Sequence, residues 1–209
     1  MGKLAGKNAL VTGAGRGIGK GIALAFAREG ADLLISSRTR SELDAVAAEV
    51  AELGVRVVIQ EGDIGVEADV QAIFDCFQSE FECLDLLVNN AGAFNGGPLD
   101  ELALEDWDHV INTNLRGPFM CTQRAMQMMK PRGTGRIINI ASIWGREHGG
   151  AISYMSAKAA LIGATKHAGL TLAKHGLRRR PHGFHLEDGN PAALMRAHQL
   201  EADKGSAVF

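Results

Sequence analysis

The sequence predicts an α/β protein built on a single doubly wound parallel sheet, and three observations support this prediction. Short apolar runs alternate with longer stretches of helical spacing as far as about residue 175. These runs are continuously apolar, which is typical of parallel strands whose two faces are covered by helices. A glycine-rich turn links the first apolar run to the first helical stretch.

The elements follow in chain order from this alternation. Apolar runs predict five strands, at residues 8–12, 32–36, 56–59, 84–88 and 135–140. Apolar positions that share one face predict five helices, at residues 18–29, 41–53, 66–81, 107–129 and 152–174. Each crossover between parallel strands is expected to be right-handed. No second unit or internal repeat is visible, so residues 1–177 are expected to form one domain.

The alternation fails after Leu177. A sixth strand is expected there, but residues 178–183 carry three arginines and Pro181. Residues 184–209 show a weak helical pattern near 192–201 and predict no strand. We therefore expect an atypical tail at residues 178–209 and a sheet whose last strand or strands are missing or altered. Five of the seven histidines lie between His167 and His198 without regular ligand spacing, so no metal site is predicted.

Composition excludes several classes of function. The 209 residues carry a formal net charge of −2, which gives no support for nucleic-acid binding. No apolar run is long enough to cross a bilayer, and the N-terminus lacks the apolar core of a secretory signal. Cys76, Cys83 and Cys121 show no metal-ligand or CxxC spacing and are interpreted as reduced, buried side chains. We expect a cytoplasmic protein that binds neither membranes nor nucleic acid.

A tyrosine and a lysine stand four residues apart at Tyr154 and Lys158, and Ser142 precedes the tyrosine by twelve residues. Side chains at i and i+4 share one face of a helix. A free phenol has a pKa of about 10, but a neighbouring positive charge favours the phenolate. The pair can therefore act as a general acid or base, with the Ser142 hydroxyl holding a substrate oxygen. Such a pair also arises by chance in helices, so a catalytic role needs further motifs.

Residues 12–19 read Thr-Gly-Ala-Gly-Arg-Gly-Ile-Gly and join the first predicted strand to the first helix. Glycines let the backbone turn tightly there and approach a pyrophosphate at the helix N-terminus. The register is TGxxxGxG rather than GxGxxG. A glycine-rich turn alone is weak evidence, because close packing of any strand against a helix can require it.

Five motifs in matching order and spacing resemble the short-chain dehydrogenase/reductase family over about residues 4–177. They are the glycine loop, Asp63 after the third strand, Asn89-Asn90-Ala91-Gly92 after the fourth, Asn114 in the long helix, and Ser142 with Tyr154 and Lys158. The resemblance implies a Rossmann-type domain that binds NAD or NADP.

The resemblance also implies a role for each catalytic residue. Tyr154 is the implied general acid in carbonyl reduction and the base in alcohol oxidation, and Lys158 is its charged partner and a ligand of the nicotinamide ribose. Ser142 is implied to orient the substrate oxygen, and Asn114 to hold a water that connects the lysine to solvent. Each of these two residues also has a structural interpretation when it is taken alone. Ser142 can be a cap at the end of a strand, and Asn114 can be a buried polar side chain bonded to the backbone.

The cofactor-binding residues that the resemblance implies are Gly13, Arg16, Gly17, Ile18, Gly19, Ser37, Arg38, Asp63, Ile64, Asn90, Ala91, Gly92, Tyr154 and Lys158. An acid at the end of the second strand would bind the ribose 2′-hydroxyl of NAD and repel the 2′-phosphate of NADP. Ser36, Ser37 and Arg38 stand there instead. Arg38 and Arg16 can approach a phosphate, so NADP is favoured over NAD. The alternative is that Arg38 and Arg40 are solvated residues at a helix start.

The implied reaction is hydride transfer between nicotinamide and a small carbonyl or secondary-alcohol substrate. Residues 93–98 and 144–152 are expected to line the substrate pocket. Phe94, Trp144 and Met155 would give it an apolar wall, and Arg146, Glu147 and His148 would add polarity. A sugar acid, a polyol or a 3-oxoacyl chain would fit. The family also implies a homo-oligomer, formed here through the helices at 103–130 and 152–175.

The change of pattern after Arg178 leaves a second function open. The segment that covers the substrate in the family is not recognisable there, so the alternative is a catalytically impaired or non-catalytic NADP-binding chain. The abruptness of the change motivates the hypothesis of a frameshifted or truncated reading of a longer protein. That hypothesis fails if no alternate frame of the coding DNA restores a strand-like apolar segment.

Overall fold

The computed structural model describes residues 2–174 and 184–187. Its strands are β1 (Asn8–Thr12), β2 (Asp32–Ser37), β3 (Val57–Glu61), β4 (Leu86–Asn89), β5 (Arg136–Ile140) and β6 (Phe184–Glu187). Its helices are α1 (Gly17–Arg28), α2 (Arg40–Ala51), α3 (Glu67–Glu80), α4 (Leu104–Ile111), α5 (Gly117–Met129) and α6 (Ile152–Lys174). A π-helical turn, Asn112–Arg116, joins α4 to α5, and short 3₁₀ turns lie at Lys130–Arg132 and Ile143–Gly145.

The six described strands form one parallel sheet in the order β3-β2-β1-β4-β5-β6, which confirms the predicted doubly wound arrangement. Leu10 of β1 lies opposite Leu34 of β2 on one side and Leu87 of β4 on the other. The strand order reverses between β1 and β4. In open α/β sheets, ligands bind outside the carboxyl ends of the strands at such a reversal.

Each face of the sheet packs against its own helices. Successive residues of a strand point to opposite faces, so the neighbours Leu10 and Val11 of β1 belong to different buried clusters. Val11 packs in a cluster with Phe26 of α1 and Val46 of α2, while Leu10 packs in a cluster with Phe77 of α3. Burial of each such side chain contributes roughly 1.5–3 kcal/mol to folding. The two clusters hold the sheet, and with it the carboxyl ends of its strands, in a fixed position.

The prediction of one helix at 107–129 is wrong. Helical structure begins at Leu104 and is divided by the π-helical turn into α4 and α5. A π-helical turn widens the backbone locally, and such turns occur frequently at functional sites. Here the turn contains Asn114, whose side chain is fully buried.

The prediction that no strand follows Leu177 is also wrong. β6 pairs in parallel with β5, and Phe184 lies opposite Ile137. The sequence Phe-His-Leu-Glu alternates apolar and polar residues, whereas the strands of a buried parallel sheet are usually continuously apolar. Because of this alternation, and because arginines and Pro181 precede it, the segment does not match the pattern expected for a buried parallel strand. The weak helical pattern near 192–201 lies outside the described residues.

The three cysteines are free thiols, but only Cys121 is buried. The prediction of burial is therefore wrong for Cys76 and Cys83, which are half-buried. Across residues 2–174 and 184–187, none of the helices is long and apolar enough to span a membrane. The same residues contain no group of three or more His, Cys, Asp or Glu side chains that could hold a metal ion.

Candidate active site

A cleft of about 410 Å³ opens at the carboxyl ends of β1 to β4, where the strand order reverses. Most of the residues predicted to bind a cofactor line it: Gly13, Arg16, Ile18, Gly19, Ser37, Arg38, Asp63, Ile64, Asn90, Ala91, Gly92 and Tyr154. Gly17 and Lys158 are not among the lining residues, nor are Asn114 and Ser142. The lining also includes Phe94 and Trp144, which are predicted for the substrate pocket, and Glu42, which is not predicted for the site.

The glycine loop after β1 packs closely against the residues that follow β4. Gly13 has a φ of +64°, and a Cβ atom there would lie 2.6 Å from the Cα of Ala91. A Cβ atom on Gly19 would overlap the carbonyl oxygen of Gly13 and the side-chain amide of Asn90. Asn90 Nδ2 in turn donates to the carbonyl oxygens of Thr12 and Gly13, at 3.0 and 3.1 Å. Only glycine fits at both positions, which explains the spacing of the motif.

The start of α1 fits a phosphate group. Gly17, its first residue, has a φ of +56°, and a Cβ atom there would meet nothing within 4 Å among the described residues. The Arg16 side chain makes no capping hydrogen bond to this helix end within the described chain, and the first turn carries no acidic residue. The first N–H groups of a helix and the positive end of its dipole attract an anion. The residues present therefore fit the pyrophosphate of a dinucleotide.

Two arginines and two acids meet where the loop faces the ends of β2 and β3. Arg16 Nη1 lies 3.7 Å from Glu42 Oε1, and Arg38 Nη1 lies 3.7 Å from Asp63 Oδ2. The arginine side chains are 83% and 57% exposed, whereas the acids are 34% and 27% exposed. The arginines are thus more accessible to a ligand than the acids that they face.

Glu42 is a charged residue that sequence reasoning missed at this end of the cleft, which Thr39 also lines. It lies in the first turn of α2, five positions after Ser37, and the fold brings it back to the glycine loop. A Cβ atom on Gly15 would lie 2.8 Å from Ser37 Oγ and 2.9 Å from Glu42 Oε2. Arg40, by contrast, pairs with Asp44 within the same helix, as a solvated residue at a helix start would. No motif points to Glu42, because its place depends on how α2 packs.

At the other end of the cleft, Tyr154 lies among aromatic side chains. Its ring centroid is 5.5 Å from that of Phe94 and 6.1 Å from that of Trp144, both in edge-on geometry. Phe94 and Trp144 are 59% and 38% exposed and form an apolar wall beside the phenol. Met155, predicted for the same wall, does not line the cleft, and neither do residues 146–148.

Lys158 lies one helical turn beyond Tyr154 and is only 3% exposed. Its Nζ atom donates a 2.7 Å hydrogen bond to the carbonyl oxygen of Ile140 and lies 5.5 Å from the centroid of the Tyr154 ring. Burial lowers the pKa of Lys158 from 10.5 to about 8. The ammonium has three donors, of which Ile140 takes one. At neutral pH the side chain therefore places a positive charge, with donors to spare, beside the phenol.

Ser142 and Asn114 make the local contacts that a structural role would require. Ser142 Oγ accepts from the backbone N–H of Trp144 at 3.2 Å and so caps the 3₁₀ turn after β5. Asn114 Nδ2 donates to the carbonyl oxygens of Ala93 and Val110, at 2.7 and 2.9 Å. Both side chains keep unused capacity, since the Ser142 hydroxyl can still donate and Asn114 Oδ1 has no partner among the described residues.

A chain of buried polar side chains links the strands behind the site to α6. Asn89 Nδ2 of β4 donates to Asn139 Oδ1 of β5 at 2.7 Å. Asn139 Nδ2 donates to Thr165 Oγ1 of α6 at 2.9 Å, and Thr165 Oγ1 donates to the carbonyl oxygen of Leu161 at 2.6 Å. Because buried polar groups are costly when unpaired, this chain favours one position of α6 on the sheet. α6 carries both Tyr154 and Lys158.

Comparison with known proteins gives the class of protein that this fold and site define. The family model for short chain dehydrogenases matches residues 7–179. The chain belongs to the short-chain dehydrogenase/reductase family of oxidoreductases.

Two curated relatives illustrate the relation. The chain is 38% identical over 173 residues to a 3-oxoacyl-(acyl-carrier-protein) reductase, FabG, of Staphylococcus aureus, a match that covers 82% of this chain and 70% of the relative. It is 38% identical over 169 residues to the BbsD subunit of a hydroxy(phenyl)methylsuccinyl-CoA dehydrogenase of Thauera aromatica, covering 81% and 68% of the two chains.

Solved structures agree with this assignment. A short-chain type dehydrogenase/reductase from Mycobacterium marinum superposes with a TM-score of 0.80 at 34% identity, over 84% of this chain and 72% of that chain. A xylitol dehydrogenase solved with NAD⁺ bound superposes with a TM-score of 0.79 at 32% identity, over 83% and 67% of the two chains.

Proposed function

We propose that the chain transfers hydride between NADP and a small carbonyl or secondary-alcohol substrate. The observation that carries this proposal is the position of Tyr154, which lines the cleft with the charged Nζ of Lys158 5.5 Å from its ring. The glycine loop and the open start of α1 lie in the same cleft. A proton donor and a surface that fits a dinucleotide thus line the same cleft. Reduction of a carbonyl by a nicotinamide cofactor requires both.

Bound nicotinamide would supply the hydride, and the residues of this chain supply position and protons. Tyr154 gives its hydroxyl proton to the carbonyl oxygen during reduction and removes it during oxidation. The Lys158 ammonium stabilises the phenolate that remains. With a pKa of about 8, this lysine holds its charge at neutral pH. Its free donors can also bind the nicotinamide ribose.

Ser142 and Asn114 complete the proposed catalytic group. Because Ser142 Oγ accepts from Trp144, its own O–H remains available to hold the substrate oxygen. Asn114 Oδ1 is a buried acceptor without a partner among the described residues. A water is the usual partner of such an atom. We propose that this water relays protons between Lys158 and solvent.

The preference for NADP rests on Arg16 and Arg38. Both arginines line the cleft at the end of β2, where the last residues of the strand, Ser36 and Ser37, are not acidic. Asp63 and Ile64 follow β3 in the same lining and are proposed to contact the adenine. Asn90, Ala91 and Gly92 line the same cleft and are proposed to contact the cofactor.

The substrate is proposed to present an apolar group beside its oxygen, because Phe94 and Trp144 flank Tyr154 with exposed rings. The names of the relatives refer to a 3-oxoacyl group on acyl-carrier-protein, a hydroxy(phenyl)methylsuccinyl-CoA and xylitol. We propose a small-molecule carbonyl or alcohol substrate and no nucleic-acid or membrane partner. We also propose a cytoplasmic homo-oligomer, with exposed Phe119 of α5 and Leu170 of α6 in its interface.

Two assays on one preparation of the full chain test the function. NADPH fluorescence measures binding, and the loss of NADPH absorbance with a panel of ketones measures turnover. The proposal predicts both. Binding without turnover on any ketone would favour the alternative, a catalytically impaired NADP-binding chain. Absence of binding would contradict both functions.

A further inference from the structure

The acids that face the two arginines bear on cofactor choice, an inference that rests on the proposed dinucleotide function. The strand end lacks the acid that would repel a 2′-phosphate, but Glu42 of α2 brings a carboxylate to the same place. Glu42 Oε1 lies 3.7 Å from Arg16 Nη1, and Glu42 Oε2 and the Ser37 hydroxyl each lie close to Gly15. Glu42 also lines the cleft.

The surroundings of Glu42 hold its side chain at this end of the cleft. It lies in the first turn of α2, where the positive end of the helix dipole favours a carboxylate. Its side chain is 34% exposed, against 83% for Arg16. Asp63 stands in the same relation to Arg38, at 3.7 Å. The four side chains therefore carry no net charge, and the attraction of the two arginines for a 2′-phosphate is opposed.

We propose that Glu42 is a specificity-determining residue that restrains the preference of this chain for NADP over NAD. In the free protein Glu42 pairs with Arg16, and this pairing competes with binding of a 2′-phosphate by Arg16. The Glu42 carboxylate also repels the dianionic 2′-phosphate of NADP. Neither effect acts on the uncharged 2′-hydroxyl of NAD. Removal of its charge should strengthen NADP binding and leave NAD binding unchanged or weaker. Glu42 acts on the cofactor through charge and needs no part in the reaction.

The test is a pair of fluorescence titrations, with NADPH and with NADH, on wild type, Glu42→Gln and Glu49→Gln. Glu49 lies on the same helix but pairs with Lys20 of α1 at 2.7 Å and does not line the cleft. Glu42→Gln should raise the ratio of NADPH to NADH affinity by about fivefold, the size expected for one pair of unit charges near 4 Å in water. Glu49→Gln should leave that ratio as in wild type.

Salt gives a second readout, because screening weakens an effect of charge. The change caused by Glu42→Gln should shrink as ionic strength rises from about 0.01 M to about 1 M, over which the screening length falls from about 30 to about 3 Å. An unchanged affinity ratio in Glu42→Gln, or a change indifferent to salt, would overturn this inference while leaving the proposed function standing. A wild-type chain that binds neither dinucleotide would overturn both.

Discussion

At the scale of single residues, the proposed function depends on charged side chains that the fold places beside Tyr154 and beside the glycine loop. Lys158 is buried beside Tyr154 and hydrogen-bonded to the end of β5. The sequence motif predicts the pair because i and i+4 spacing is independent of tertiary structure. Glu42 could not be predicted in the same way, because its approach to Arg16 depends on the packing of α2. Local spacing is readable from sequence, whereas contacts between elements are not.

The burial of Lys158 predicts a pH dependence of stability. The unfolded chain keeps this proton up to about pH 10.5, whereas the folded chain releases it near 8. Between those values the unfolded state binds more protons, so the lysine's contribution to the free energy of unfolding rises with pH. The slope is about 1.4 kcal/mol per pH unit. Urea unfolding of wild type and Lys158→Met at pH 7, 8, 9 and 10 measures this dependence of the unfolding free energy on pH.

The difference in unfolding free energy, wild type minus Lys158→Met, should be flat below pH 8 and rise above it. Below pH 8 both states are protonated, and the cost of burying the charge is constant. A difference that stays flat from pH 7 to pH 10 would show that the lysine is not desolvated in the folded chain.

At the scale of elements, the sequence predicts the strands and helices well where the pattern is regular and fails where it is not. β1 and α6 have the predicted bounds, because an apolar run and a long helical stretch define them clearly. The π-helical turn leaves no trace in the periodicity, so α4 and α5 merge in the prediction. β6 is missed because its four residues alternate in polarity and follow a run of arginines.

The polar chain behind the site predicts a measurable coupling of α6 to the sheet. Thr165→Val leaves Asn139 Nδ2 buried without its acceptor, which should cost about 1–3 kcal/mol of unfolding free energy. Thr171→Val is the matched control, since Thr171 makes the same kind of hydroxyl-to-backbone bond on α6, to the carbonyl oxygen of His167, but this bond is exposed to solvent. That control should change stability by no more than about 0.5 kcal/mol. Equal losses in the two variants, measured by urea unfolding, would contradict a structural role for the chain.

At the scale of the whole molecule, the strand order decides where the candidate site lies. The reversal between β1 and β4 opens the cleft, and the glycine loop and the loop after β4 form its floor. The alternation of strands and helices in the sequence predicts a parallel sheet covered on both faces, but not the order of its strands. The proposed oligomer does not follow from it, since surface complementarity between copies leaves no pattern in one chain.

The exposed apolar residues of α5 and α6 predict self-association. Phe119 is 58% exposed and Leu170 is 55% exposed, and both lie on the helices proposed to meet in a homo-oligomer. Phe119→Asp places a charge in that interface and should shift the protein to a smaller species in sedimentation velocity. Val66→Glu, at a 48% exposed apolar residue outside those helices, should not. A monomeric wild type, or equal effects of the two variants, would contradict the proposed interface.

The central claim is that Tyr154 transfers the proton in a reaction for which this chain binds NADP. Tyr154 is the single tyrosine of the sequence, so Tyr154→Phe removes one hydroxyl and leaves the ring packed between Phe94 and Trp144. Measured side by side with wild type, this variant should bind NADPH with the same affinity and lose at least about a hundredfold in ketone-dependent NADPH oxidation. Turnover that persists at the wild-type rate in Tyr154→Phe would contradict the account.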